Sequence, residues 1–153
     1  FAGSAGYSHR YHTKNIILVE KDPVLIDLWQ YLIVAGKSDI LDLPLLKPQD
    51  MIDDFDISPA EKSLIGFWAN KGCTAPSKRL SSWGRKYPNK TEVWGKKCRQ
   101  RLAENIHKID HWSITGCGYN WSPNMKATWF IDPPYQQMGK HYKYGSDTIN
   151  YKL

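Results

Sequence analysis

The chain has 153 residues, a formal net charge of +6 and a hydrophobic share of 41%, which suits one domain with a real core. It has no run of about 18 apolar residues and no secretory leader pattern, so neither a membrane span nor an export signal is expected. Cys73, Cys98 and Cys117 are an odd, widely spaced set that argues against a disulfide framework and fits a reducing compartment. With five scattered histidines they make no closed zinc pattern, and no metal is expected.

Charge is unevenly spread. Residues 1–61 hold 5 Lys/Arg against 10 Asp/Glu, residues 62–101 hold 11 against 1, and residues 102–153 hold 5 against 4. The middle block is more cationic than solubility requires and favours a polyanionic partner.

In chain order, Phe1-Ala-Gly-Ser-Ala-Gly6 reads as a glycine-spaced loop leading toward a helix N-terminus. Asn15-Ile-Ile-Leu-Val19 reads as a buried strand ended by Glu20. Asp22-Pro23 gives a helix start, with a capping carboxylate and proline in the first turn. The helix runs over Val24–Ile33, and Gly36 is a credible stop. Loop, strand, acid and helix in this order make half of a mononucleotide-binding unit.

Ser38 to Asp56 is acidic and proline-marked, predicting loop with a short helical turn. Ser58-Pro-Ala-Glu61 matches the capping box and predicts a helix through Leu64, Phe67 and Trp68. Residues 71–79 and 81–90 lose periodicity and read as surface loops. A long helix is predicted from Glu92 to Ile109, with Trp94, Cys98, Leu102, Ile106 and Ile109 on one stripe. Trp68, Trp94 and Trp112 are assigned to the core. His111 and His141 are read as ordinary polar residues. His111-Trp-Ser-Ile-Thr115 and Ala127 to Ile131 are predicted strands, the second ending at Asp132. The ends read as a piece of a longer or processed chain: Phe1-Ala-Gly opens inside a loop, and Ile149-Asn-Tyr-Lys-Leu153 resembles the start of another element.

The chemistry concentrates in Asp132-Pro-Pro-Tyr135. Two prolines stop the strand and leave a stiff corner, and such corners at strand ends are where open α/β sheets hold ligands. An ionised Asp132 accepts hydrogen bonds but does not donate them. With the Pro133 carbonyl it can take both hydrogens of one amino group, while Tyr135 stacks on the ring that bears it. That geometry suits the exocyclic amine of a nucleobase. Gly3 and Gly6 allow close approach of a ligand, and Glu20 at the next strand end can accept from both hydroxyls of a ribose. Asp22 is assigned to the helix cap.

Asp132-Pro-Pro-Tyr135 resembles the catalytic signature of amino-directed DNA methyltransferases, and Phe1-Ala-Gly-Ser-Ala-Gly6 resembles their S-adenosylmethionine loop. Ile16-Ile-Leu-Val-Glu-Lys-Asp-Pro-Val-Leu-Ile26 is similar to the strand, acid, proline and helix order of the Dam-like class of DNA adenine-N6 methyltransferases. Gly139-Lys-His-Tyr-Lys-Tyr-Gly145 resembles that class's loop after the catalytic corner. The resemblance is strong at residues 1–33 and 127–147.

It implies a Rossmann-like α/β methyltransferase sheet, incomplete at both ends of this chain. Residues 1–57 would form the cofactor-binding half, 58–110 an inserted basic, helix- and loop-rich recognition region, and 111–153 the catalytic strand and loop. Phe1, Gly3 and Gly6 would lie along S-adenosylmethionine and Glu20 would hold its ribose. Asp132 and Pro133 would bind the target amine, with Tyr135 on the adenine. Where the class carries Gly-Asp-Phe, this chain has Cys117-Gly-Tyr119, so Cys117, Tyr119 or a backbone group would have to stand in for the acid that contacts the cofactor's adenine.

The implied reaction is direct attack of N6 on the methyl group, with a base flipped from double-stranded DNA. Lys78, Arg79, Arg85, Lys86, Lys90, Lys96 and Lys97 would contact phosphates, with Trp83 and Tyr87 near a groove or gap, and Lys140 and Tyr142 join them from the later loop. The implied setting is the cytoplasm of a bacterial or phage-infected cell. Two alternatives stay open: a catalytically silent nucleic-acid-binding module with the same fold, and an RNA adenine methyltransferase.

Overall fold

The computed structural model of the chain describes residues 4–70, 75–88, 90–117 and 126–130. Six α-helices among them are α1 (Gly6–Arg10), α2 (Pro23–Val34), α3 (Lys37–Asp42), α4 (Pro59–Ala69), α5 (Ser82–Lys86) and α6 (Lys96–Asn105). The strands β1 (Ile17–Glu20) and β2 (Ser113–Gly116) pair in parallel, Ile17 opposite Ser113 and Glu20 opposite Gly116. The result is a small α/β domain, a two-stranded parallel sheet flanked by helices.

Helix starts follow local chemistry. Asp22 Oδ1 accepts from Val24 N at 3.0 Å, with Pro23 as the first helical residue of α2. In the box before α4, Glu61 N donates to Ser58 Oγ at 3.3 Å and Ser58 N donates to Glu61 Oε2 at 2.7 Å. Gly36 does not stop α2; Ala35 does, and Gly36 N donates to Asp39 Oδ2 at 2.8 Å to open α3. The acidic stretch, predicted as loop with a short helical turn, holds α3 and a 3₁₀ turn at Ile52–Asp54.

The cationic segment is less free than its composition suggests. Ser77 N, Trp94 N and Ser81 N donate to the carbonyls of Gly66, Trp68 and Ala69, which end α4. Those carbonyls lack helical partners and need donors from elsewhere. Leu80, Val93 and Trp94 are buried beneath the cations, and Ser81 Oγ caps α5 by accepting from Gly84 N at 3.0 Å. The second predicted surface loop thus contains a short helix, and the core residues Leu80, Val93 and Trp94 stand between and just after the two loops.

The long helix starts four residues later than predicted. Trp94 N is committed to Trp68 O, and Gly95 is fully extended against the Pro88 carbonyl, where a Cβ would stand 2.5 Å away. Its end passes into a 3₁₀ turn at Ile106–Lys108. Trp94 is 1% exposed, and its Nε1 donates to Pro44 O at 2.8 Å. Burying so large a ring removes roughly 150–250 Å² from water, worth about 4–6 kcal/mol. Cys98, Ala103, Ile106 and Ile109 continue the buried stripe of α6 and its 3₁₀ extension, with Leu102 half-buried.

Helix α2 packs over both strands and carries α4, while α3 packs on α6. Trp29 of α2 stacks on buried Trp112 at 6.0 Å. Trp112 Nε1 donates to His12 O at 3.3 Å and His111 Nε2 lies 3.2 Å from Lys14 O, joining the approaches to the two strands. His111, read as lacking an acid partner, also has one in the residue directly before it, Asp110, at 3.3 Å. Of the strand predicted over Ala127 to Ile131, residues 127–130 are described; they carry no strand pairing among the described residues, and Trp129 and Phe130 are 45% and 60% exposed. A β-rich composition needs a pleated neighbour to become a strand.

Candidate cofactor corner and cationic face

The parallel pairing sets the carboxyl ends of β1 and β2 side by side. Cys117 N donates to Glu20 O at 3.0 Å, so Glu20 and Cys117, both expected near the cofactor, meet at one end of the sheet. Cys117 Sγ lies 3.4 Å from Thr115 Oγ1. Glu20 is only 4% exposed, and its Oε1 accepts from Lys21 N at 2.7 Å and Asp22 N at 3.1 Å. The carboxylate therefore fixes the turn between β1 and α2, and Asp22 caps the helix, as the proline after it indicates.

Gly6 is the first residue of α1. Ala5 before it is buried and left-handed, with φ 47°, a conformation costing about 1–2 kcal/mol in an L-residue. Among the described residues, a Cβ built on Gly6 would meet only Ser4 Oγ, at 3.8 Å. The described packing does not require glycine there, and the bare backbone leaves room for a ligand.

One aromatic contact joins two distant segments. Phe130 stacks on Tyr7 with ring centres 4.4 Å apart and planes 4° off parallel, and Tyr7 lies 5.0 Å from Tyr11. Tyr7 directly follows Gly6, and Phe130 stands two residues before Asp132. The sequence did not mark either ring as functional; their only signal was adjacency to the two motifs. Phe1, Gly3, Tyr119, Asp132, Pro133, Tyr135, Lys140 and Tyr142 lie outside the described residues.

The cations divide into groups. Lys78 Nζ is 2.8 Å from Asp53 Oδ2, an exposed pair across 25 residues of chain. The hydrogen bond to Lys78 holds the Asp53 carboxyl below its usual range, and the same bond holds Lys78 above its own. Arg85 is anchored by Leu80 O at 2.6 Å and Ser82 Oγ at 3.2 Å. Lys86 and Lys90 lie 5.5 and 5.9 Å from the centre of the Tyr87 ring, which is tilted against Trp83. Lys96 and Lys97 are exposed on the first turn of α6.

Lys78, Arg79 and Arg85 share the lining of an open cleft of about 540 Å³, together with Met51, Asn70, Ser77, Leu80, Ser81 and Ser82. Of the thiols, Cys98 is buried and pushed up to about 12 by burial, with Arg101 partly offsetting, so it is no nucleophile. No His, Cys, Asp and Glu cluster suited to a metal occurs among the described residues. Nor is any helix among them long and apolar enough to cross a membrane. Comparison with family models, curated proteins and solved structures finds no match for this chain.

Proposed function

We propose that the protein is an S-adenosylmethionine-dependent DNA adenine-N6 methyltransferase. The observation that carries this reading is the stack of Phe130 on Tyr7. It supports a common cleft for the glycine loop and the Asp132-Pro-Pro-Tyr135 corner, since each ring is within two residues of its motif. Glu20 and Cys117 at adjacent strand ends support it further, because parallel sheets take ligands beyond their carboxyl ends.

The donor set fits such a cofactor. The open face of Gly6 would lie along it, with Glu20 toward the ribose and Cys117 near the adenine. When bound, the cofactor supplies an electrophilic methyl whose bond to sulfur breaks as the bond to nitrogen forms. Asp132 and the Pro133 carbonyl would hold the two hydrogens of the target amine and strengthen those bonds as positive charge grows on nitrogen, and the proton is then lost to water. Tyr135 would hold the flipped adenine by stacking. Fixing the amine in line can supply several of the roughly 7–11 kcal/mol available from orientation.

The test is incubation of the protein with methyl-labelled S-adenosylmethionine and unmethylated DNA, followed by nucleoside analysis. Label should appear as N6-methyladenine, and Asp132→Ala should reduce transfer by about 10²–10³-fold. Label on protein, or on RNA alone, would sink the proposal. The absent acid at Cys117-Gly118 and the burial of Glu20 favour a second reading, a binding module without transfer activity. DNA binding with no cofactor affinity in separate titrations would decide for it.

A further inference from the structure

We propose that the cleft between the Ile52–Asp54 turn, the end of α4 and α5 is an anion subsite for one phosphodiester group, with Arg79 as the direct contact and Asp53 as a built-in brake on its charge. That the phosphodiester belongs to DNA rests on the function proposed above; the anion chemistry does not.

The lining sorts the ligand by class. Among the described residues it holds three cations and no carboxylate, with Ser77, Ser81 and Asn70 as uncharged polar residues that can donate. Phosphate oxygens only accept, so a wall of donors suits them. No aromatic ring lines the cleft among the described residues, which disfavours a stacked base.

The site is also built before any ligand arrives. Its floor is the backbone from Ser77 to Ser81, pinned by Ser77 N to Gly66 O, by Ile52 N to Lys78 O and by Ser81 N to Ala69 O. The Arg85 guanidinium is oriented by Leu80 O and Ser82 Oγ, which use two of its five N–H groups. Arg79 is exposed and has no hydrogen-bond or ion-pair partner among the described residues. Such preorganisation lowers the ordering cost of binding.

Asp53 gives the cleft its distinctive feature. It is absent from the lining, yet its carboxylate holds Lys78 at 2.8 Å and its carbonyl accepts from Lys62 Nζ at 2.9 Å. Of the three lining cations, Lys78 is therefore paired within the protein by an exposed contact, and a phosphate reaching it must compete with Asp53.

The experiment measures binding of a labelled duplex by fluorescence anisotropy over a salt series, for the protein, Arg79→Ala and Asp53→Asn. Both side chains are exposed, and circular dichroism confirms the fold. Each phosphate contact adds about 0.9 to the slope of log affinity against log salt. Arg79→Ala should bind more weakly, with a slope about 0.9 shallower. Asp53→Asn should bind more tightly, with a steeper slope, because Lys78 is released.

If the protein binds DNA and neither variant changes its slope, the subsite is overturned while the DNA reading survives. If the protein does not bind DNA, a titration with inorganic phosphate decides, followed by the Arg79 and Arg85 side-chain signals in NMR against chloride at equal ionic strength. Shifts specific to phosphate would uphold the anion subsite and sink its nucleic-acid source; their absence would overturn the subsite itself. The methyl-transfer assay reads the catalytic proposal separately.

Discussion

Helices α2 and α4 and the cationic segment 75–95 are ordered by opposite means. Each helix carries its own start: Asp22 with Pro23, and Ser58 with Glu61, satisfy amides within three residues of themselves. Among the described residues the cationic segment has one such cap, Ser81 before α5, and takes the rest of its order from contacts distant in sequence, those with α4 foremost. Ser77, Ser81 and Trp94 donate to carbonyls that α4 cannot satisfy alone, and Leu80, Val93 and Trp94 fill the space below. A helix end with unpaired carbonyls can therefore organise a glycine- and serine-rich stretch that has no periodicity of its own, leaving its cations displayed on a fixed backbone.

Three substitutions test that contrast. Trp94→Ala should be the most damaging. It empties a fully buried position and leaves Pro44 O without its donor, at about 3–5 kcal/mol. Urea unfolding followed by the remaining tryptophans would read the loss, and a small effect would mean that the segment is not anchored there.

Gly66→Ala comes next, with a sign that helix propensity alone gets wrong. Alanine ordinarily gains about 1 kcal/mol over glycine within a helix. Here the added Cβ would stand 2.7 Å from both Pro76 Cβ and Ser77 O, so overpacking of about 1–3 kcal/mol should oppose that gain. A thermal midpoint below that of the unsubstituted protein would support docking of residues 76–77 on α4, and a higher one would break it.

Ser58→Ala should have the smallest effect, about 1 kcal/mol from the lost cap. Hydrogen exchange should rise in the first turn of α4, with the amides of Ser77, Ser81 and Trp94 still protected. Equal loss of protection in both places would show that the two regions open as one unit.

The candidate site was legible to unequal depths. Motif order pointed to Gly6 and Glu20 and assigned Asp22 to the cap, because each sits at a junction whose residue types are restricted by backbone chemistry. Nothing in the sequence could tell that Glu20 would be buried with its own turn, or that Lys78 would be matched to Asp53. Those outcomes depend on which segments become neighbours. Residues 127–130 of the strand predicted near Phe130 carry no pairing among the described residues, for a related reason: apolar and β-branched residues alone create no pairing edge.

By itself the sequence determined where α2 and α4 begin, that Trp94 and Trp112 are buried and Trp68 partly so, and that positive charge gathers between residues 62 and 101. Caps and hydrophobic periodicity act within one or two turns of chain, so they can be read locally. Only the tertiary structure decided that β1 pairs with β2 across the whole helical region, that Gly95 is extended, and that Phe130 rests on Tyr7. Each of these depends on a hydrogen bond or contact between parts of the chain brought together by folding, and no local propensity specifies its partner.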